Sequence, residues 1–446
     1  MVTLNIIKPF RLIFCRLHLA FRVEYNIYTS ILFRIDLYMH KFNFHNIPSK
    51  LIIWLISFSI CEIIISAPLS SYVSILPLIK KEWQINNFQA GSIYSAYLIG
   101  YAFSSLIILP LADRFSKRKI FLLCSTLFVL AHLGFSIFAT DLISACIILF
   151  FAGSGLLGIY MIGIRIVSDQ FEERIRGTAI GLFVSANYAS MSVSILLIGN
   201  LLNYFDWRNA YLIVSIVSVT GLPIAFILLS NIKNRNNQSL SNNPVLDFSV
   251  LKVSKLRNVI LTYSLHTFEL YSIKTWFIVF LTSIFVSRMY STDNAVVISS
   301  NIAGIALGFS MFGPVFGGFI SDRFGRLDTS SILFLCSGIC SLIVGWISNF
   351  DITFIILFAV IYYFFLSSDS AIYSTMITEF SGKKLGSAMA MQAFIGYLFG
   401  MLGPIVFGFV LDITEDLWKL TFSMLFIISI SGVFLLQRIK RYLLIK

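Results

Sequence analysis

The stretch Leu109-Pro110-Leu111-Ala112-Asp113-Arg114-Phe115-Ser116-Lys117-Arg118 has a counterpart 209 residues later, Gly318-Phe319-Ile320-Ser321-Asp322-Arg323-Phe324-Gly325-Arg326. Each closes one long apolar run and opens the next. A second pair repeats at the same offset, Arg176-Gly177-Thr178-Ala179 and Leu385-Gly386-Ser387-Ala388. Two landmarks at one spacing point to a duplicated chain whose unit is a set of apolar helices.

Hydrophobic residues make up 58% of the 446 and charged residues 12%. A soluble domain carries about 25% charged residues, so a large soluble core is excluded for want of polar sequence to cover it. Twelve apolar runs are long enough to cross roughly 30 Å of hydrocarbon as helices: 51–79, 88–112, 119–139, 142–168, 177–203, 209–231, 258–286, 296–320, 329–348, 352–377, 385–411 and 418–436. The expected fold is therefore an all-α polytopic membrane protein, with twelve transmembrane helices in two pseudo-symmetric six-helix bundles. The bundles occupy 49–231 and 258–437. A polar linker, 232–257, joins them, and a basic tail, 438–446, follows. Residues 1–48 form a basic and apolar arm, too interrupted by charge for a thirteenth span; an interfacial segment, a targeting extension, or an upstream stretch before a start at Met39 all fit it.

The net charge is +12. With the N-terminus cytoplasmic, the inner loops and tail hold 19 Lys and Arg, whereas the outer loops hold five: Lys80, Lys81, Arg208, Arg288 and Lys419. This positive-inside bias places both termini in the cytoplasm. It accounts for the basic balance without a nucleic-acid partner. The six cysteines show no Cys-x-x-Cys or Cys/His spacing, so neither a metal site nor a disulfide framework is expected.

A charged side chain inside a span costs about 2.5–3.5 kcal/mol on insertion scales, which makes each one a functional candidate. These are Glu62, Arg165, Asp169, His266, Glu269, Lys274 and Asp369, with His132 a weaker one. Glu62 and Glu269 each lie eleven residues into a span, roughly 16 Å deep. Their 207-residue separation is close to the repeat offset, so corresponding positions are expected for them. His266 sits three residues before Glu269 and could tune it. Lys274 could snorkel outward or contact an anion. For Asp369, beside Ser367, Ser368 and Ser370, cavity lining and helix-packing hydrogen bonds are both open. Tyr94, Tyr97 and Tyr101 share a helix face, which suits aromatic packing or cavity lining. Gly153, Gly155, Gly158 and Gly163 suit close helix approach, and Gly313-Pro314 and Gly403-Pro404 suit bends.

Six plus six spans, a cytoplasmic central loop and the two Asp-Arg loops together resemble the major facilitator superfamily, whose loop signature reads roughly G-x-x-x-D-R-x-G-R-R/K. The second copy matches at Gly318, Asp322, Arg323, Gly325 and Arg326. The first keeps Asp113, Arg114, Lys117 and Arg118 but has Leu109 and Ser116 in place of the glycines. His266-Thr267-Phe268-Glu269-Leu270 followed by Lys274-Thr275-Trp276 is loosely similar to bacterial sugar-phosphate and cyanate-type permeases. The absence of a Gly-Pro-rich motif around Ser185–Ser192 argues against a multidrug exporter. The absence of an arginine in the second span before Arg114 argues against a nitrate porter.

The resemblance implies a carrier rather than an enzyme, in which spans 1, 4, 7 and 10 line a central cavity. A bacterial inner (plasma) membrane location and a monomer are expected. Substrate and coupling candidates are Glu62, His266, Glu269, Lys274, Asp369 and Arg165. Asp113, Arg114, Arg118, Asp169, Gly318, Asp322, Arg323, Gly325 and Arg326 form the expected cytoplasmic gate, with Arg165 and Asp169 joining a network with Asp113 and the Glu172-Glu173-Arg174 loop. Acids beside bases fit alternating-access transport of a small anionic organic solute, with no cofactor and a proton as the candidate coupling ion. A uniporter, exchanger or efflux carrier fits the same residues. A transport-dead sensor or a polytopic membrane enzyme is the reading from another class, and no catalytic constellation supports the enzyme. A single cysteine placed in the 232–257 linker is expected to resist an impermeant thiol reagent applied outside intact cells. Labelling there would reverse the assigned orientation.

Overall fold

The computed structural model describes residues 48–230 and 247–444. The arm 1–47 and linker residues 231–246 lie outside them. Leu55–Lys446 form one compact unit and Met1–Trp54 another, of which the described part is the start of the first helix. In chain order the α-helices are α1 (Ser49–Ile65), α2 (Ser71–Trp83), α3 (Asn87–Arg114), α4 (Lys117–Phe138), α5 (Leu142–Leu157), α6 (Gly163–Gln170), α7 (Glu173–Leu201), α8 (Trp207–Leu228), α9 (Ser254–Ser287), α10 (Thr292–Ser310), α11 (Gly313–Phe324), α12 (Arg326–Val344), α13 (Ile352–Ser368), α14 (Ser370–Ser381), α15 (Leu385–Gly400), α16 (Leu402–Ile413) and α17 (Trp418–Leu444). Among the described residues, eleven helical segments are long and apolar enough to cross a membrane. The first expected span, 51–79, is not one helix. It breaks at Ser66–Ser70 around Pro68, whose ring denies the preceding turn its hydrogen bond, and neither α1 nor α2 is long enough alone.

Other spans are interrupted too. The eighth breaks before Pro314 and the eleventh before Pro404, as the Gly-Pro pairs suggested. The tenth breaks at Asp369, where no proline intervenes. The fourth holds a π turn, Gly158–Ile162, between α5 and α6. Irregular backbone at this depth survives only where protein covers it. At Gly403 an added Cβ would lie 2.4 Å from the Phe268 carbonyl oxygen of α9, so the neighbouring helix seals that break. The tail expected from 438 onward is a continuation of α17, with Lys440 bound to Asp328 at 2.7 Å. After the linker comes a short 3₁₀ turn, Phe248–Lys252, capped by Asp247. The Ser249 hydroxyl, with Lys384 beside it, holds the Asp247 carboxyl down at about 2.

The two ends of the bundle start helices differently. Helices α3, α5, α8, α10 and α13 begin with side-chain caps from Asn86, Asp141, Asp206, Ser291 and Asp351. Helices α4, α7, α9, α12 and α15, which begin at the basic end, have no side-chain cap. Helix α4 even opens on Lys117-Arg118-Lys119, against its own dipole. Insertion topology outweighs capping here, because basic residues retain one side of a membrane whatever the helix end would prefer.

Helix α9 is the most interior, with 78% of its apolar window buried, against 33% for α8 and α17. It packs against α15, α17, α10 and α16 and meets α2. Helix α3 lies on α5, α15 and α16, and α7 lies on α10. Small residues permit these approaches. A Cβ on Gly153 of α5 would sit 1.9 Å from the Tyr97 carbonyl oxygen of α3, whereas Gly177 has open space around it. Gly153→Val should destabilise the detergent-solubilised protein by about 1–3 kcal/mol through overpacking, and Gly177→Ala should leave its melting point in place. Thermal unfolding followed by tryptophan fluorescence checks both.

Candidate functional site

Three buried acids anchor the interior, each in a different way. Glu62 of α1 accepts a hydrogen bond from Asn187 Nδ2 of α7 at 3.1 Å, while its Oε2 has no hydrogen-bond partner among the described residues. Glu269 of α9 accepts from Ser337 and Ser341 of α12 at 3.0 and 2.8 Å and from Ser429 of α17 at 3.4 Å. Tyr362 of α13 joins that group, 2.5 Å from Ser341. Asp369, at the α13–α14 break, accepts from Tyr373 at 2.9 Å and lies 3.1 Å from His266 Nδ1. The other ring nitrogen of His266 is 3.1 Å from the Ser370 hydroxyl.

Two expectations change here. His266 pairs with Asp369 and not with Glu269, which the serines of α12 and α17 occupy. Glu62 and Glu269 do not occupy corresponding surroundings either. The 209-residue offset maps Glu62 onto Tyr271. Two residues of slip turn a helical side chain by about 200°, so Glu269 faces the α12–α17 side and Tyr271 faces α3 and α15. His132 bonds Tyr211 at 2.7 Å and belongs to the α4–α8 packing.

Lys274, two turns along α9 from His266, is the cation of this interior. Its ammonium lies 3.5 Å from Met191 Sδ, 5.7 Å from the Tyr188 ring centroid and 5.4 Å from that of Tyr271. No carboxylate partner accompanies it among the described residues. Tyrosines continue outward from this point. Tyr271 packs on Tyr397 at 5.6 Å and on Tyr94 at 6.4 Å; Tyr397 stacks on Tyr101 at 4.0 Å, and Tyr94 stacks on Tyr97 at 5.8 Å. Tyr160, carried by the π turn, lies within electrostatic reach of Tyr188, Tyr397 and Tyr263. Lys274, Tyr160, Tyr188, Tyr263 and Tyr397 are partly accessible although they sit mid-helix and face one another. They are carried by the π turn, α7, α9 and α15.

At the basic end, the charged pairs repeat with the sequence. Lys117 at the start of α4 pairs with Asp169 at the end of α6. Arg326, 209 residues on, pairs with Glu379 of α14 at 3.1 Å and with Asp322. Arg118 sits 4.7 Å over the Phe226 ring and donates to the Phe226 and Ser230 carbonyls at the end of α8. Arg165 donates to the Leu109 carbonyl at 3.3 Å, and so joins α6 to α3 instead of pairing with Asp169. Arg114 and Arg323 are exposed, and Gly325 takes a φ of +92° that suits glycine. Gly318 has open space around it. The side chains of Asp113, Glu173 and Arg174 lie outside the described residues, so the expected contact with Asp113 does too.

The opposite end holds residues that the sequence reading missed. Asp412, at the end of α16, accepts the first two amides of α3 from Asn87 and Phe88 at 2.9 and 2.8 Å. Asp416 accepts from the Asn87 side chain at 2.9 Å, and Asn200 of α7 donates to Asn301 of α10 at 3.0 Å. A carboxylate on a helix N-terminus is a favourable anion site, here supplied by the other repeat. Its signal in the sequence was only an acid in a short loop.

A bundle of long apolar helices with repeated charged loops at one end and polar side chains gathered at mid-depth is the form of a polytopic membrane transporter. The profile of the Major Facilitator Superfamily matches residues 58–365, and the chain belongs to that family. It is 23% identical over 416 residues to a benzoate transport protein of Acinetobacter baylyi, covering 82% of this chain and 85% of the relative. It is 24% identical over 382 residues to a hexuronate transporter of Bacillus subtilis, covering 79% and 85%. Among solved structures, the nucleoside transporter NupG superposes with a TM-score of 0.70 at 13% identity, covering 86% of this chain and 98% of that one. The family and these relatives are transporters, not enzymes. The protein is an integral membrane protein.

Removing the Asp412 contact should loosen α3 from α16. With Ser95→Cys in a cysteine-free background, a buried position whose hydroxyl now donates to the Met401 carbonyl at 2.6 Å, Asp412→Ala should raise the maleimide labelling rate at least about tenfold, since one hydrogen bond to a charged group is worth that much and two are lost. An unchanged rate would mean that the carboxylate does not hold this end together.

Proposed function

We propose that the chain is a proton-coupled carrier of a small organic anion that works by alternating access. The observation that carries this reading is Lys274, an interior cation whose contacts are a thioether and two ring faces. An ammonium removed from water without a counter-charge is costly, and an anionic solute arriving beside it would supply that charge. The names of the two relatives point to the same chemistry, since benzoate and hexuronates are both carboxylates.

Proton coupling draws on two of the three acids, Glu62 and Asp369, since serines occupy Glu269. A carboxyl group out of water can take up and release a proton as its surroundings change. Glu62 has one oxygen without a hydrogen-bond partner among the described residues and joins α1 to α7 through the other. Asp369 shares its site with His266, and Ser370 beside them lies next to Tyr188, which faces Lys274. A proton at the His266–Asp369 pair and an anion at Lys274 would thus act on one region, and both would bias the rocking of the repeats. The Asp412 contact, which joins the two repeats, would close the outer side, and the repeated Lys117–Asp169 and Arg326–Glu379 pairs would keep each repeat rigid at its cytoplasmic end as it rocks.

The test is uptake into proteoliposomes with and without an imposed pH gradient, for the wild type and for Glu62→Gln, Glu269→Gln and Asp369→Asn. Wild type should accumulate solute only with the gradient. Glu62→Gln or Asp369→Asn should accumulate no more than the control without a gradient while still exchanging solute, and Glu269→Gln should keep coupling. Equal gradient-driven accumulation in all four proteins would remove these acids from the coupling step, and none in the wild type would remove proton coupling.

A further inference from the structure

We propose that the interior site of this chain takes a planar aromatic monocarboxylate, its carboxylate on Lys274 and its ring among the faces of Tyr188, Tyr271 and Tyr397. The proposal rests on the organic-anion reading above and narrows it to one substrate class. Its first support is the charge count at the site. Lys274 is a single cation, and its three N–H donors meet soft partners that leave them unsaturated: Met191 sulfur at 3.5 Å and two tyrosine faces. The other bases nearby are committed. His266 is held between Asp369 and Ser370, and Arg165 bonds the Leu109 carbonyl near the basic end. One available positive charge matches one carboxylate and leaves a dicarboxylate or a phosphate uncompensated.

The second support is what surrounds that charge. The rings next to Lys274 come from α7 and α9, and the next ones from α15 and α3. Tyr397 bridges them, 5.6 Å from Tyr271 and 4.0 Å from Tyr101. Such flat, polarisable walls favour a flat ring in offset or edge-on contact. A polyhydroxylated ring needs a dense set of amide and carboxylate partners instead, whereas the contacts around Lys274 are a thioether and ring faces, with Asn187 bound to Glu62 and Glu269 to three serines. The Tyr97 hydroxyl, buried without a hydrogen-bond partner among the described residues, is a polar contact available to a ring substituent.

The experiment is calorimetric titration of the purified full chain in detergent with four probes: benzoate, cyclohexanecarboxylate, benzyl alcohol and glucuronate. Benzoate should bind most tightly. Cyclohexanecarboxylate, with the charge but no π face, should bind about three- to tenfold more weakly. Benzyl alcohol and glucuronate should each be at least about tenfold weaker than benzoate. Lys274→Met should lose at least about tenfold in benzoate affinity, Lys274→Arg should keep part of it, and Tyr188→Leu should shrink the preference for benzoate over cyclohexanecarboxylate. Melting curves identify the folded variants, and the wild-type ranking of probes needs no variant at all. If cyclohexanecarboxylate or glucuronate binds as well as benzoate, the aromatic class is wrong and the organic-anion reading stands. If no carboxylate binds the folded wild type, or folded Lys274→Met binds benzoate unchanged, the site itself is wrong. Binding of benzyl alcohol alone would overturn the organic-anion reading as well.

Discussion

Inside hydrocarbon there is no water to solvate a charge, so each ionisable group in the bundle must find its counterpart in protein. That constraint sorts the interior of this chain. Glu269 is surrounded by three hydroxyls from two other helices and reads as a satisfied joint between α9, α12 and α17. Asp369 has Tyr373 on one oxygen, while the other lies 3.1 Å from His266 without a hydrogen-bond partner among the described residues. Glu62 is half satisfied, with one oxygen on Asn187. Among the described residues, Lys274 has only soft neighbours. The order from saturated to unsaturated runs from structural groups to groups whose balance changes when a solute or a proton arrives.

The two ends of the bundle obey a different rule, because water reaches them. At the basic end the ion pairs Lys117–Asp169 and Arg326–Glu379 each stay within one repeat, fixing the start of one span to the end of the next. At the other end Asp412, Asn87, Asn200 and Asn301 join one repeat to the other. These contacts use backbone amides and amide side chains, which exchange readily with water once parted. The side-chain caps also cluster at that end, so its helices stay well terminated whether or not the repeats touch there.

Most of the fold was legible in the sequence because lipid imposes long, uniform signals. Runs of apolar residues, Gly-Pro pairs and the basic loop bias located eleven spans and the breaks before Pro314 and Pro404. The break at Ser66–Ser70 was hidden inside an apolar run, where Pro68 was the only mark. The site was less legible, for a geometric reason. A periodic reading fixes how deep a residue lies but leaves its direction around the helix open, and two residues of misalignment turned Glu269 away from the position of Glu62. The pairing of His266 with Asp369 joins residues about a hundred apart, and no local pattern announces it. Tyr188, Met191 and Tyr397 stood in apolar runs where aromatic and thioether side chains read as packing.

The π turn at Gly158–Ile162 has a consequence for how the chain tolerates change. A π turn holds one residue more than the α-helical path needs, and one residue is about 100° of rotation. The surplus residue aims Tyr160 toward the other tyrosines and sets the heading of α6 beyond it, including Arg165 and Asp169. A deletion of one residue there would relax the backbone to a regular helix and keep the hydropathy of the span intact. It would also swing Asp169 about a quarter turn away from Lys117. In this segment the number of residues carries information that their polarity does not, so a length change would be felt at both the interior and the basic end.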